Sequence, residues 1–347
     1  MKSINPFKII IRMPNWLGDF VMATPLIKQI KNKWPKSHLT LMCQGSIGSL
    51  VQGNPWHDQC FSFDKPKGCW LWSRKKDIIE HLRSQQYDLS ILTTLSWSSA
   101  WYFWKSGIKN RLGYANYPRS LLINQGVKLP KDIESRHLVE VFQKLIGLNS
   151  FIAPKLYVTE QEKQWSLKFL ESLNLDVSKH CIIGIHPCAA YGPAKQWPTD
   201  YFIRLSQMIL TQIPQARLLF LGDKKGQKLI QSITQILPQE LCFDLSAQTN
   251  LRQLMSILCR LQAFVTNDSG PMHLADALSI PLVALFGSTN PIKTGPYRMG
   301  GVLYKRVSCS PCYKRECPID FKCMYQISPA EVYQNLCDLL KSCRQSK

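Results

Sequence analysis

Apolar and polar positions along this chain switch repeatedly between two periods. Short, almost wholly apolar runs of strand length occupy residues 8–12, 39–43 and 89–92. They recur at 181–185, 216–221 and 261–265. Between them, apolar positions return every three or four residues, which predicts helices over 20–33, around 78–84, and over 136–146. Further helices are expected over 160–173, 199–210, 226–236 and 329–341. Strands alternating with helices from end to end argue an α/β protein with parallel sheets. Residues 149–160 carry Pro154 and little periodicity, so they read as a linker between two halves.

Length and composition agree with that division. A chain of 347 residues, 45% hydrophobic and 19% charged, can build two cores of ordinary size. No run of 18 or more apolar residues is present to span a membrane, and the run Ile9–Ile11 is too short for a secretory signal. A cytoplasmic protein is the expectation. Net charge is +20, and residues 1–150 hold 21 Lys/Arg against 9 Asp/Glu. Such a field attracts polyanions: nucleic acid, an anionic membrane surface, or a phosphorylated substrate. No zinc-finger or RNP-like pattern accompanies it, so nucleic acid is not the expected partner.

Thirteen cysteines are present. Cys43, Cys60, Cys181, Cys242, Cys259 and Cys337 lie in apolar runs and read as small buried hydrophobes. Cys309, Cys312, Cys317 and Cys323 cluster, but their later gaps match no zinc ribbon or finger. Reduced thiols or a redox-sensitive loop are favoured over a structural metal.

The densest chemistry lies at Thr266-Asn267-Asp268-Ser269-Gly270-Pro271-Met272-His273, followed by Pro281 and by Gly287-Ser-Thr-Asn-Pro291. It reads as strand, tight turn, helix, strand and second turn. A helix opening at Pro271 presents unpaired N–H groups and a positive dipole end, a natural seat for phosphate. Gly270 lets an anion approach the backbone, while Ser269 and His273 add side-chain donors. From the residues alone, a plainly capped βαβ unit competes with this reading.

The stretch Asp268–Ala277, with Pro281, Phe286–Pro291 and Pro296, resembles the signature of the family 9 glycosyltransferases, the ADP-heptose:lipopolysaccharide heptosyltransferases. Two more stretches resemble the same family, and more narrowly its heptosyltransferase II branch. They are Arg12-Met-Pro-Asn-Trp-Leu-Gly18-Asp19-Phe-Val-Met-Ala-Thr-Pro25 and His186-Pro-Cys-Ala-Ala-Tyr-Gly-Pro-Ala-Lys195-Gln-Trp-Pro198. Together the resemblance covers positions 8 to 327. It implies a GT-B fold: two Rossmann-like domains with parallel sheets facing a central cleft. The expected boundaries are 1–155 for an acceptor-binding domain and 156–328 for an ADP-heptose-binding domain. Residues 329–347 would form a helix packing back on the N-terminal domain.

The activity so implied is inverting transfer of L-glycero-D-manno-heptose from ADP-heptose to the first heptose of the lipopolysaccharide inner core. Transfer of a first or third heptose, or non-catalytic nucleotide or polyanion binding, are the alternatives. Asp19 occupies the family's catalytic-base position, although an aspartate at a strand-to-helix turn also serves as an N-cap. Lys195 would stabilise the leaving diphosphate. Ala190, Tyr191, Lys195, Asp268, Ser269, Gly270, Met272 and His273 complete the expected donor contacts around the phosphates. Asp223 and Thr249 are candidates near ribose and adenine, though Thr249 reads equally as an N-cap. The family often has glycine where Cys188 stands, so this loop is expected to be less open.

No Asp-x-Asp pair is present. That fits transfer without a metal or other cofactor, with a lysine and backbone amides in place of the cation. Arg12, Asn15, Arg119, Arg136 and His137 are candidate contacts to acceptor phosphate or carboxylate. Trp97, Trp101 and Trp104 share one helical face near Lys105, Lys109 and Arg111. Such a stripe suits peripheral contact with an anionic membrane surface, here the inner face of the inner membrane, but it more commonly belongs to a core.

Overall fold

The computed structural model describes residues 5–64, 71–298 and 300–345. The chain divides into two compact units, at Tyr157 and Val158. In the first unit six parallel strands are β1 (Lys8–Arg12), β2 (His38–Gln44), β3 (Gln59–Phe63), β4 (Leu89–Leu92), β5 (Asn110–Tyr114) and β6 (Gln125–Val127). They lie in the order β3-β2-β1-β4-β5-β6. The second unit has β7 (Cys181–His186), β8 (Ala216–Phe220), β9 (Cys242–Asp244), β10 (Ala263–Asn267), β11 (Leu282–Phe286) and β12 (Gly301–Tyr304). Their order is β12-β11-β10-β7-β8-β9, which repeats the first pattern within the second unit. Each sheet is therefore doubly wound, reversing direction between its first and fourth strands. Ligands in such sheets bind beyond the carboxyl ends of the strands at that reversal.

The central strands are apolar because helices cover both faces. Ile9, Ile10 and Ile11 are fully buried, as are Ile182, Ile183 and Ile185. One core packs Ile10, Met42, Leu82, Leu92 and Phe103 together. The other joins Ile183, Phe202, Phe220, Val265 and Leu285. At about 25 cal/mol per Å² of apolar surface, each buried phenylalanine or isoleucine contributes some 1.5–3 kcal/mol. Several expected elements differ in detail. The helix expected over 20–33 is two, Leu17–Ala23 and Pro25–Lys33, because Pro25 has no N–H to continue the first. Strands β3, β5, β6, β9 and β12 were not legible; β3 is half exposed and carries no apolar run.

The helix Glu160–Ser172 opens the second unit with a full capping box between Thr159 and Glu162. Glu162 also receives Arg252 at 2.5 Å, tying this helix to Leu251–Leu258. The C-terminal helix, Pro329–Gln345, packs on the second sheet and on the helix Thr199–Gln212. Val332 and Leu336 are fully buried in that core. Its apolar face is used within the second unit. Residues 346–347 lie outside the described residues.

Candidate active site

In the second unit the site is built where the sheet reverses, between β7 and β10. After β7 the chain runs through Pro187 to Trp197 and enters the helix Thr199–Gln212. After β10 it turns at Asp268 and Ser269 into the helix Gly270–Ala277. Asn267, the last residue of β10, holds the two turns together. Its amide donates to the Pro187 carbonyl at 2.8 Å and its oxygen accepts from the Trp197 N–H at 3.1 Å. This bridging role was missed at the level of sequence, although Asn267 stands inside the recognised motif.

Lys195 and Asp268 meet across this junction. The ammonium lies 2.5 Å from the Asp268 carboxylate, whose same oxygen accepts from Thr289 Oγ1 at 2.5 Å. Thr289 lies beyond β11, in the Gly287–Pro291 stretch, and had been given no role. Asp268 is buried, and a buried carboxylate is held only by such partners. Lys195 also sits 4.9 Å from the centre of the Tyr191 ring, with Arg315 at 5.4 Å from the same ring. Tyr191 Oη donates to the Tyr313 carbonyl, and the Ala194 N–H to the Arg315 carbonyl. Gly192 is required here: a Cβ would stand 2.4 Å from the Arg315 carbonyl oxygen. Ala190 is exposed at the crest of the loop.

The helix Gly270–Ala277 starts one residue earlier than expected, with Pro271 in its first turn. Its N-cap, Ser269, makes no side-chain cap bond. Ser269 Oγ instead lies 3.2 Å from Thr266 Oγ1. The backbone donors of the first turn are thus not taken by the cap, which is the arrangement an anion can use. The side chains of Met272 and His273 are buried, Met272 completely, so Met272 can offer a ligand its N–H alone.

Toward the expected nucleoside end, Asp223 accepts from the N–H groups of Lys225 and Gly226 through one oxygen. Thr249 is not an N-cap: Asn250 is, in a capping box with Gln253. Cys188 is buried, and its thiol is pushed up to about 12 by burial, then by Asp223 and Asp244, which favours the protonated form near neutral pH. Its bulk is accommodated by glycine opposite. A Cβ at Gly226 would lie 2.2 Å from Cys188 Sγ.

Cys309, Cys312, Cys317 and Cys323 are free thiols that line one small cavity with Ala194 and Ser288. Among the described residues no three His, Cys, Asp or Glu side chains are grouped to hold a metal ion. Through the Tyr313 and Arg315 carbonyls this segment braces the Tyr191–Lys195 loop.

In the first unit, Asp19 is the third residue of the helix Leu17–Ala23 and half-buried. The N-cap is Trp16, so the capping alternative for Asp19 is set aside, while its place in the first turn still complements the helix dipole. Arg12 ends β1 and is buried. Its Nη2 donates to Asn15 Oδ1 and its Nη1 to the Met13 carbonyl, both at 2.5 Å, and the Phe63 ring lies 4.8 Å away. Burial lowers the Arg12 pKa to about 10.

The remaining acceptor candidates are engaged locally. Arg119 is buried and donates to the carbonyls of Tyr114 and Thr94. Arg136 pairs at 2.7 Å with Asp132. His137 caps the helix Leu138–Lys144, its Nδ1 accepting from the Val139 N–H. The tryptophan stripe is a surface feature rather than core. Trp97 is 49% and Trp104 46% exposed, Trp101 is half-buried, and Ala100, Tyr102 and Phe103 form the inward face. Among the described residues no helix is long and apolar enough to cross a membrane.

Two doubly wound units, the second with a cation-and-amide turn at its reversal, are the pattern of a GT-B transferase, and comparison with known proteins carries this to a family. The profile of glycosyltransferase family 9 (heptosyltransferase) matches residues 76–322. Lipooligosaccharide heptosyltransferase 2 of Haemophilus influenzae is 31% identical over 298 residues, 83% of this chain and 85% of that protein. Lipopolysaccharide heptosyltransferase 2 of Escherichia coli is 28% identical over 83% of this chain and 85% of its own length. The solved structure of the E. coli ADP-heptose lps heptosyltransferase II superposes with a TM-score of 0.83 at 25% identity, covering 97% of this chain and 99% of that one. The chain belongs to glycosyltransferase family 9 and is a glycosyltransferase with the GT-B fold of that family's heptosyltransferases.

Proposed function

We propose that this glycosyltransferase moves L-glycero-D-manno-heptose from ADP-heptose to the first heptose of the lipopolysaccharide inner core. The observation that carries the reading is the Lys195–Asp268–Thr289 arrangement beside the uncapped helix Gly270–Ala277. It supplies fixed positive charge and backbone donors at the reversal of the second sheet, where a diphosphate would sit. In the proposed reaction the Asp19 carboxylate takes the proton of the acceptor hydroxyl. That oxygen bonds to the anomeric carbon from the face opposite the leaving group, which inverts the centre. The bond from the anomeric carbon to the β-phosphate oxygen breaks, and ADP departs with the added negative charge. Lys195 has three N–H donors, so it can hold Asp268 and still reach a phosphate oxygen. The first-turn N–H groups after Ser269 share that charge. A divalent cation has no part in the scheme.

The acceptor is an amphiphile, and the first unit offers a surface for its membrane. The segment Arg119–Leu122 packs beside the helix Trp97–Lys105. Leu121, Tyr117, Trp97 and Trp104 are exposed there, with Lys105 6.0 Å from the Trp104 ring. Aromatic side chains among lysines suit peripheral contact with the anionic inner face of the inner membrane from the cytoplasm.

The test is transfer from ADP-heptose to purified Kdo-lipid A acceptors with no heptose or with one, in the presence and absence of EDTA. Turnover on the mono-heptosylated acceptor, unaffected by EDTA, is expected. Turnover only on the heptose-free acceptor would assign the first transfer instead. Failure to turn over either, with ADP still stabilising the protein thermally, would leave a non-catalytic nucleotide binder.

A further inference from the structure

Cys43 and Cys60 have no part in the proposed transfer, and the inference drawn from them does not depend on it. They lie on adjacent parallel strands, β2 and β3, whose register pairs Leu41 with Cys60 and Cys43 with Ser62. The two cysteines are thus diagonal neighbours on one face of the sheet, and their sulfurs are 3.7 Å apart. The turn Gly45–Val51 closes over them at Gly48, where a Cβ would stand 2.9 Å from Cys60 Sγ and 3.1 Å from Cys43 Cβ. Exposure separates the pair: Cys43 is fully buried, whereas Cys60 is exposed on the edge strand. This corrects the expectation that Cys60 is a buried hydrophobe; among the described residues β3 has no strand beyond it.

The chemistry of the two thiols diverges in the same sense. Cys60 is drawn down to about 7, first by its hydrogen bond with Cys43, against burial, and further by Ser62. Cys43 moves strongly upward, first through the same hydrogen bond and then through burial. A thiol on the exposed edge strand whose ionisation is favoured, in contact with a buried thiol held protonated, is the pairing that two-step oxidation requires.

We propose that Cys60 and Cys43 form a thiol oxidation site for peroxide-class oxidants, with Cys60 the attacked thiol and Cys43 the resolving one. The Cys60 thiolate attacks one oxygen of the peroxide, the O–O bond breaks, and hydroxide leaves. Cys60 becomes a sulfenic acid while the peroxide is reduced. The Cys43 thiol gives its proton to that hydroxide, its sulfur bonds to Cys60 sulfur, the S–O bond breaks, and the second hydroxide so released takes up the proton that Cys60 lost on ionising. Two thiols and one hydrogen peroxide become one disulfide and two waters; a dithiol reductant reverses the change. Diagonal neighbours stand about 7–8 Å apart at Cα, against at most about 6.8 Å in a disulfide, so closing the sulfurs from 3.7 Å to about 2.05 Å draws the edge strand toward β2. The product links β2 to β3 at Cys43, the residue after Met42, which is the register partner of Arg12 on β1.

The test treats the full chain with hydrogen peroxide, blocks remaining thiols with iodoacetamide, and maps peptides by mass. A Cys43–Cys60 linked peptide that has lost two hydrogens and is restored by dithiothreitol is expected. It should form at least about tenfold faster than oxidation of Cys309, an exposed thiol outside the pair. In Cys43→Ser, with no resolving thiol, dimedone should trap a sulfenic acid at Cys60. In Cys60→Ser, on the exposed edge, Cys43 should stay reduced. Oxidation of Cys60 no faster than Cys309 would overturn the proposal, as would absence of the linked peptide while Cys309 is oxidised.

Discussion

The carboxyl ends of the two sheets use their polar residues in opposite ways. In the second unit the groups at the reversal are knitted to one another across separate loops: Asn267 to Pro187 and Trp197, Asp268 to Lys195 and Thr289. In the first unit Arg119, Arg136 and His137 are engaged within their own neighbourhoods. Large apolar side chains such as Trp16, Trp97, Tyr117 and Leu121 are left at the surface. A diphosphate needs fixed charge and pre-aimed donors, which only a rigid network supplies. An amphiphile needs area, which exposed aromatics supply without fixed geometry. Under the proposed function, the same strand order would serve two kinds of recognition.

This contrast is most sharply tested at Asp19, the one polar group of the first unit assigned to chemistry. Asp19→Asn should lower kcat by about 10²–10⁴-fold while ADP still stabilises the protein thermally. An unchanged kcat would break the division of labour.

Next in size is the buried pair of the second unit. Lys195→Ala leaves Asp268 buried without its cation, which should cost about 3–5 kcal/mol in denaturant unfolding and abolish stabilisation by ADP. Lys195→Ala/Asp268→Asn should recover most of the stability but not the ADP effect. If the double variant binds ADP normally, Lys195 serves the fold alone.

For the first unit, replacing Trp97 and Trp104 together by serine should weaken sedimentation with anionic phospholipid vesicles by about tenfold. Turnover of a detergent-dispersed acceptor should stay within about twofold, since neither residue is placed in the reacting site. Equal vesicle binding by the variant would return the stripe to incidental surface.

The smallest expected effect is on pH. His186, at the end of β7, is buried, and burial holds its pKa below the ordinary imidazole value of 6.5. The unfolded chain therefore binds a proton that the folded one refuses. Stability should fall as pH drops from 6.5 toward the folded value, by at most about 1.4 kcal/mol per pH unit from this residue. Above 6.5 the contribution is complete and flat. His186→Gln should remove that part of the slope, measured by unfolding at pH 7 and pH 5.5.

Much of the architecture was legible because central parallel strands must be continuously apolar and their helices amphipathic. The runs at 8–12, 39–43 and 181–185 fall on observed strands, and that at 261–265 overlaps β10, which starts and ends two residues later. Edge strands escaped because they are short and half solvated: β6 has three residues and β3 is exposed at Cys60. Loop residues of the site were legible as motifs, while their partners were not. Nothing local announces that Thr289 reaches Asp268, 21 positions away, or that Asn267 spans 80 positions to Pro187.

By itself, then, the sequence determined the α/β class, the two-unit division and the membership of a family of heptosyltransferases, since periodicity and extended motifs are properties of neighbouring residues. Tertiary structure alone decided which polar side chains stay available. Arg119 looks like a surface cation until the backbone carbonyls of Tyr114 and Thr94 are folded around it. Trp97 and Trp104 look like core until Ala100 and Phe103 take the inward face. Cys43 and Cys60, 17 residues apart, become a pair only when β2 and β3 align. Burial and pairing are long-range outcomes of packing, and no window of sequence contains them.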